Sequence, residues 1–178
     1  MTIAPSERLT YRLLTADDAE LLWELDQDPE VMKYITHGEI SSREKIHTVF
    51  LPRMAQYHNP EKGWGLWGVF SKHDEDFLGW VLVRPMGFFS QQPTDTNNLE
   101  LGWRFKRRYW GAGFATEAAT AVLETLRSES SASQFSAIAM PENEGSINIM
   151  KKLGMQFVDQ RVIDDVLGPI TAVYFTMS

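Results

Sequence analysis

The chain has 178 residues, 43% hydrophobic and 12% aromatic, enough to bury one substantial core, and a single domain over residues 1–178 is the expectation. Its formal charge of −7, from 17 basic and 24 acidic side chains, argues against a general nucleic-acid binder and suits a cationic substrate better. There is no cysteine to build a disulfide framework, a thiolate metal site or a thiol nucleophile, and no run approaches the roughly 18 apolar residues of a membrane helix. The sequence therefore reads as a soluble cytoplasmic protein, a monomer or a homodimer.

In chain order, LTYRLL from Leu9 to Leu14 alternates as a strand. TADDAELLWELDQD reads as a helix with Thr15 as N-cap and Asp18 in its first turn, and Asp28-Pro29 starts a second helix. SSREKIHTVFLPRMAQYH predicts a helix capped by Ser41 or Ser42 and kinked or divided at Pro52. GLWGVFSK, DFLGWVLVRP and NNLELGWRFK are rich in Val, Leu, Phe and Trp and are separated by the polar turns HDED and QQPTDTN. Three neighbouring antiparallel strands are the simplest arrangement. Trp64, Trp67 and Trp80 belong to strand packing and Trp23 to the core face of a helix. Beyond Gly113, Ala115, Ala118, Ala119, Val122 and Leu126 recur at helical spacing, which lays one helix face on the sheet. QFSAIAM is a strand, NEGSINIMKKLG a short helix ending at Gly154, and MQFVDQRVIDD and PITAVYFTM two closing strands. The class is α/β of the mixed, α+β kind, without the strict alternation of a doubly wound fold.

KRRYWGAGFATEAATAVLETL, from Lys106 to Leu126, sets two arginines, two aromatics and two glycines at the mouth of a helix. There the first N–H groups lack intrahelical partners and the peptide dipoles favour negative charge. Gly111 and Gly113 remove Cβ atoms where amides must approach an anion, and Arg107 and Arg108 supply charge-assisted donors. The same pattern also fits a tight turn with a solvated basic face. GAGFAT lacks the third glycine of a dinucleotide fingerprint, and no Gly-Lys-Ser/Thr of a P-loop is present. His37, His47, His58 and His73 show no metal-ligand spacing, so no metal is implied.

Arg108-Tyr-Trp-Gly111-Ala-Gly113 resembles the (Gln/Arg)-x-x-Gly-x-(Gly/Ala) signature of the GNAT acyltransferases. ERLTYRLLTADDAELLWELDQDPEVMKYI, LELGWRFKRRYWGAGFATEA and NEGSINIMKKLGMQF resemble, in order, segments of the subgroup containing the RimJ and RimL ribosomal-protein N-terminal acetyltransferases. The resemblance implies a mixed, mostly antiparallel sheet of about seven strands flanked by helices, with a V-shaped split between strands 4 and 5. It also implies acetyl-CoA as co-substrate, its pantetheine arm pairing with the fourth strand. Carried over by position, Trp103, Arg104 and Phe105 form the pantetheine-binding strand end. Arg108, Trp110, Gly111, Ala112, Gly113, Phe114 and Ala115 form the pyrophosphate cradle, with the Thr116 hydroxyl beside them. Asn143 and Asn148 reach the pantetheine or acetyl end, a role for Asn143 compatible with helix capping.

Attack of an amine on a thioester requires the neutral amine, and an alkyl amine has a pKa of about 10.4 in water. Glu100 is the candidate base, acting through a water, since alternation puts it on the face of Gly102 and Arg104; a plain strand glutamate paired with an arginine is the alternative. Where many GNAT enzymes carry a proton-donating tyrosine this sequence has Met150, and Ser146 is the substitute donor, unless it only binds or packs and no dedicated acid exists. The function implied is acetyl transfer to a primary amine, either a protein N-terminus or a small molecule; a non-catalytic acetyl-CoA-binding module is the alternative. Glu39, Asp164 and Asp165 are expected to draw a cationic acceptor to the entrance.

Overall fold

The computed structural model describes residues 1–90, 94–165 and 168–178, with Asp164 and Asp165 described at the backbone only. Seven strands form one sheet in the order β1-β2-β3-β4-β5-β7-β6. They are β1 Leu9–Leu13, β2 Gly65–Ser71, β3 Phe77–Met86, β4 Asp95–Phe105, β5 Gln134–Ala139, β6 Gln156–Asp165 and β7 Gly168–Met177. All neighbours are antiparallel except β4 and β5. That parallel pair is joined through α5 (Phe114–Glu129), because parallel neighbours require a crossover.

β4 and β5 pair only at Asn98–Gln134, Leu99–Phe135 and Glu100–Ser136, whereas β4 stays paired with β3 as far as Phe105. The two strands thus part after Glu100, and the edge of β4 from Leu101 to Phe105 opens into a V. A buried polar cluster closes its vertex: the Ser136 hydroxyl lies 2.7 Å from Asn98 Oδ1 and 2.7 Å from the Tyr174 hydroxyl, which also accepts from Asn98 Nδ2 at 2.9 Å.

Capping residues set the helix starts. Thr15 and Asp18 form a reciprocal capping box ahead of α1 (Ala19–Leu25), and Asp28 caps α2 (Pro29–Thr36), which has proline in its first turn. Of the two serines proposed to cap the next helix, Ser42 caps α3 (Arg43–Lys45), while Ser41 is buried and donates to Asp26 at 2.7 Å. The expected division at Pro52 is realised as a π-helical segment, Ile46–Phe50, followed by α4 (Leu51–Tyr57). The Leu51 N–H bonds to the Ile46 carbonyl, a wider turn that accommodates a proline lacking its own N–H. The turn expected over QQPTDTN is shorter, since β4 already begins at Asp95 opposite Met86; residues 91–93 lie outside the described residues.

The sheet separates two cores. On one side Val81, Val83, Leu99, Leu101 and Phe105 pack with Ala118, Ala119 and Val122 of α5 and Met150 of α6 (Glu144–Lys152). On the other, Leu66, Trp80 and Leu82 pack with Leu22, Leu25, Ile46 and Met54 of α1, the π segment and α4. The strand tryptophans Trp67 and Trp80 are buried, as their sequence context suggests. Among the described residues no helix is long and apolar enough to cross a membrane.

Candidate active site

The loop from Lys106 to Gly113 leads from the open end of β4 into the 16-residue helix α5. Gly111 (φ 74°) and Gly113 (φ 80°) both adopt the left-handed conformation, and Gly113 is the N-cap with no side-chain cap bond. The N–H groups of Phe114, Ala115 and Thr116 therefore begin the helix without a capping side chain. Gly111, Ala112 and Gly113 are exposed, and among the described residues nothing lies within 4 Å of a Cβ built on Gly111. Backbone donors, helix dipole and space converge here as an anion requires.

β4 divides the site into two sides. Glu100, Gly102 and Arg104 stand opposite Arg84, Leu82 and Trp80 on the face covered by α1 to α4. Leu101, Trp103 and Phe105 alternate onto the α5 face. Across the V, Trp103 Nε1 donates to Ser146 Oγ at 3.2 Å. An indole N–H is only a donor, so the hydroxyl hydrogen of Ser146 is left available for donation elsewhere. Ser146 is held in turn by its own N–H, which bonds Asn143 Oδ1 at 3.1 Å and makes Asn143 the N-cap of α6. This fold, with an uncapped helix N-terminus at the open edge of β4, has a known counterpart.

Residues 8–156 match the family described as acetyltransferase (GNAT) domain. The chain belongs to the GNAT acetyltransferase family. The Bacillus subtilis protein YkkB is 34% identical over 155 residues, covering 85% of this chain and 84% of that one. The crystal structure of a GNAT-family acetyltransferase from Bacillus anthracis superposes with a TM-score of 0.77 at 25% identity, over 99% of this chain and 98% of that one. RimL, a ribosomal L7/L12 alpha-N-protein acetyltransferase solved in complex with coenzyme A, shares the fold with a TM-score of 0.76 at 11% identity, over 99% and 97% of the two chains. As a GNAT member this protein is an acyltransferase with acetyl-CoA as co-substrate. The open β4 edge and the uncapped α5 are a fitting donor set for it, offering main-chain partners to the pantetheine amides and N–H groups to the diphosphate.

The charges around the GNAT site are distributed differently from the sequence expectation. The Arg108 guanidinium is taken by Asp76, which also accepts from the Tyr109 hydroxyl; Arg107 pairs with Asp28 at 2.9 Å and Lys106 with Glu24 at 2.9 Å. Although burial works against ionisation of Asp76, Tyr109, Lys106 and Arg108 together hold its carboxyl below the ordinary range. The Arg107 and Lys106 pairs tie the loop to the α1–α2 segment beside a surface cavity of about 590 Å³, and the Arg108 pair ties it to the β2–β3 turn. A cation that does reach the glycine loop is Arg8, just ahead of β1, whose Nη1 donates to the Ala112 carbonyl at 3.0 Å. Sequence reasoning missed it, but Glu117 was a readable signal: an acid in the first turn of an anion-binding helix calls for a neutralising cation.

Glu100 is buried and forms a two-pronged pair with Arg84, Nε to Oε2 at 2.7 Å and Nη2 to Oε1 at 3.0 Å. Arg104, proposed for the pantetheine strand end, sends its side chain to the α1–α4 side, where it pairs with buried Asp26 at 2.5 Å; its Nε is buried without a partner among the described residues. Tyr57 of α4 completes this wall beside Phe88 and Phe89, and burial is the main cause that pushes its hydroxyl up to about 12, so it stays protonated. Trp110 is exposed and anchored by its Nε1 to the Phe105 carbonyl at 2.8 Å. Asn148 is exposed and sits about 200° around α6 from Ser146, so the structure does not gather it with Asn143 and Ser146. Met150, where many relatives are expected to carry tyrosine, is buried against α5. Glu39 is exposed, and the side chains of Asp164 and Asp165 lie outside those described.

Proposed function

We propose that this GNAT enzyme moves the acetyl group directly from acetyl-CoA to a primary amine in a ternary complex, and that the amine is a protein N-terminal α-amine of the kind RimL acts on, with small-molecule amines as the second class. The observation that carries the reading is the uncapped N-terminus of α5, in an exposed left-handed glycine loop, at the point where β4 parts from β5. The amides of Gly111 to Ala115 hold the diphosphate, with Thr116 beside them, and the free edge of Trp103, Arg104 and Phe105 pairs with the pantetheine arm.

In this reading the acceptor enters on the α1–α4 face and the thioester lies in the V. Glu100 accepts the amine proton through a water, using lone pairs that Arg84 leaves free on each oxygen. The nitrogen bonds the acetyl carbon as the carbon–sulfur bond breaks, the Ser146 hydroxyl donates a hydrogen bond to the departing thiolate, and the proton taken from the amine goes in the end to that sulfur, which leaves as coenzyme A. Asn143 keeps that serine in place. The test is release of free thiol from acetyl-CoA against a panel of N-terminal peptides, polyamines, aminoglycosides and amino acids. Turnover with peptides above the other classes supports the assignment; turnover confined to small amines replaces the acceptor; binding without any thiol release removes the catalytic reading.

A further inference from the structure

α5 carries an apparent contradiction. Its N-terminus is built for an anion, yet Glu117 places a carboxylate in its first turn. The structure turns that carboxylate aside: Glu117 Oε1 accepts from Ser6 Oγ at 2.6 Å and from the Arg8 N–H at 2.8 Å, and Oε2 accepts from Arg8 Nε at 2.7 Å. Every one of these partners precedes β1. The Ser6 hydroxyl also meets the Tyr11 hydroxyl at 2.6 Å, so the N-terminal segment is fastened to α5 by a connected network.

The guanidinium anchored in this way then reaches the loop. Arg8 Nη1 donates to the Ala112 carbonyl at 3.0 Å, and its Cζ lies 4.0 Å from the centre of the Phe114 ring. Ala112 is the residue between the two left-handed glycines. A trans peptide is planar, with its carbonyl and the following N–H pointing in opposite directions. By fixing the Ala112 carbonyl towards itself, Arg8 directs the Gly113 N–H away, to the side where the loop is open. Arg8 Nη2 is also 3.6 Å from a Cβ built on Gly113, so the guanidinium packs directly under the turn.

We infer that Arg8 is a positioning residue for the diphosphate of acetyl-CoA: held by Glu117 from below, it orients the Ala112–Gly113 peptide so that the Gly113 amide faces the ligand. This rests on the reading of the glycine loop as the diphosphate cradle. A fork is needed, because Nε serves Glu117 while Nη1 serves the loop, and a lysine ammonium has no such rigid pair of donors.

The test compares dissociation constants for acetyl-CoA and S-acetylpantetheine, which keeps the thioester and pantetheine arm but has no diphosphate, by calorimetry or ligand-observed NMR. The wild type should prefer acetyl-CoA. Arg8→Gln and Arg8→Lys should each weaken acetyl-CoA about tenfold, the worth of one charge-assisted hydrogen bond, and leave S-acetylpantetheine within about twofold. Glu117→Asp, which keeps the charge but draws the carboxylate back from Arg8, should act in the same direction and serves if the Arg8 variants do not fold. An unchanged acetyl-CoA constant, or an equal loss for both ligands, overturns the positioning role. A wild type that binds the two ligands equally overturns the diphosphate cradle itself, and the positioning role falls with it.

Discussion

Glu100 faces Arg84 across β3 and β4, and this pair governs what the glutamate can do. A neutral glutamine keeps the shape but cannot take a proton at neutral pH. Glu100→Gln is expected to lower kcat by roughly a hundredfold or more, with the acetyl-CoA dissociation constant nearly unchanged. A kcat close to that of the wild type in that variant assigns the base elsewhere. Gly111 and Gly113 were legible because left-handed backbone and missing Cβ atoms are local demands. The partners of Arg108, Glu100 and Glu117 were not, since Asp76 in the β2–β3 turn, Arg84 on β3 and Arg8 ahead of β1 lie apart from them in sequence and meet them only in the folded molecule.

At the level of elements, helix starts were readable because Thr15 with Asp18, Asp28 with Pro29, and Asn143 act on their own first turns. The π-helical segment before Pro52 was foreseen only as a break, because its extra residue depends on packing of the whole segment. Asn143→Ala is expected to cost about 1 kcal/mol in urea unfolding by uncapping α6, and also to lower kcat by releasing Ser146. For α5, burial disfavours charge on Glu117, but the hydrogen bonds from Ser6 and Arg8 outweigh it and hold the carboxyl below its ordinary value of 4.5. A depressed carboxyl stabilises the fold above its unfolded pKa, and that contribution is lost as pH falls through the folded value. The stability gap between wild type and Glu117→Gln should therefore be constant near neutral pH and shrink on acidification below 4.5, as urea midpoints at each pH would record. A gap independent of pH would mean the carboxylate has no such role.

For the whole molecule, the two-sided sheet was legible as strand alternation, but the place where β4 and β5 separate was implied only by family resemblance. Periodicity says nothing about which strands pair in parallel. Physically, the vertex is closed by Asn98, Ser136 and Tyr174, whose hydrogen bonds are fully buried. Tyr174→Phe should cost about 1–3 kcal/mol, because Asn98 and Ser136 lose a buried partner, and should raise the acetyl-CoA dissociation constant by letting the V shift. The central claim is that acetyl-CoA lies in that V with its diphosphate on the N-terminus of α5. It is tested most directly by calorimetric titration of acetyl-CoA into wild type and Gly111→Glu. Among the described residues nothing lies within 4 Å of the new Cβ, but at φ 74° any side chain strains the loop, so Gly111→Ala, which adds the strain without the charge, is titrated beside it. A like charge about 4 Å from a phosphate costs about 4 kcal/mol at an effective dielectric near 20, so binding should weaken by at least about a hundredfold. Equal affinity in wild type and Gly111→Glu, or no binding by the wild type, would contradict the account.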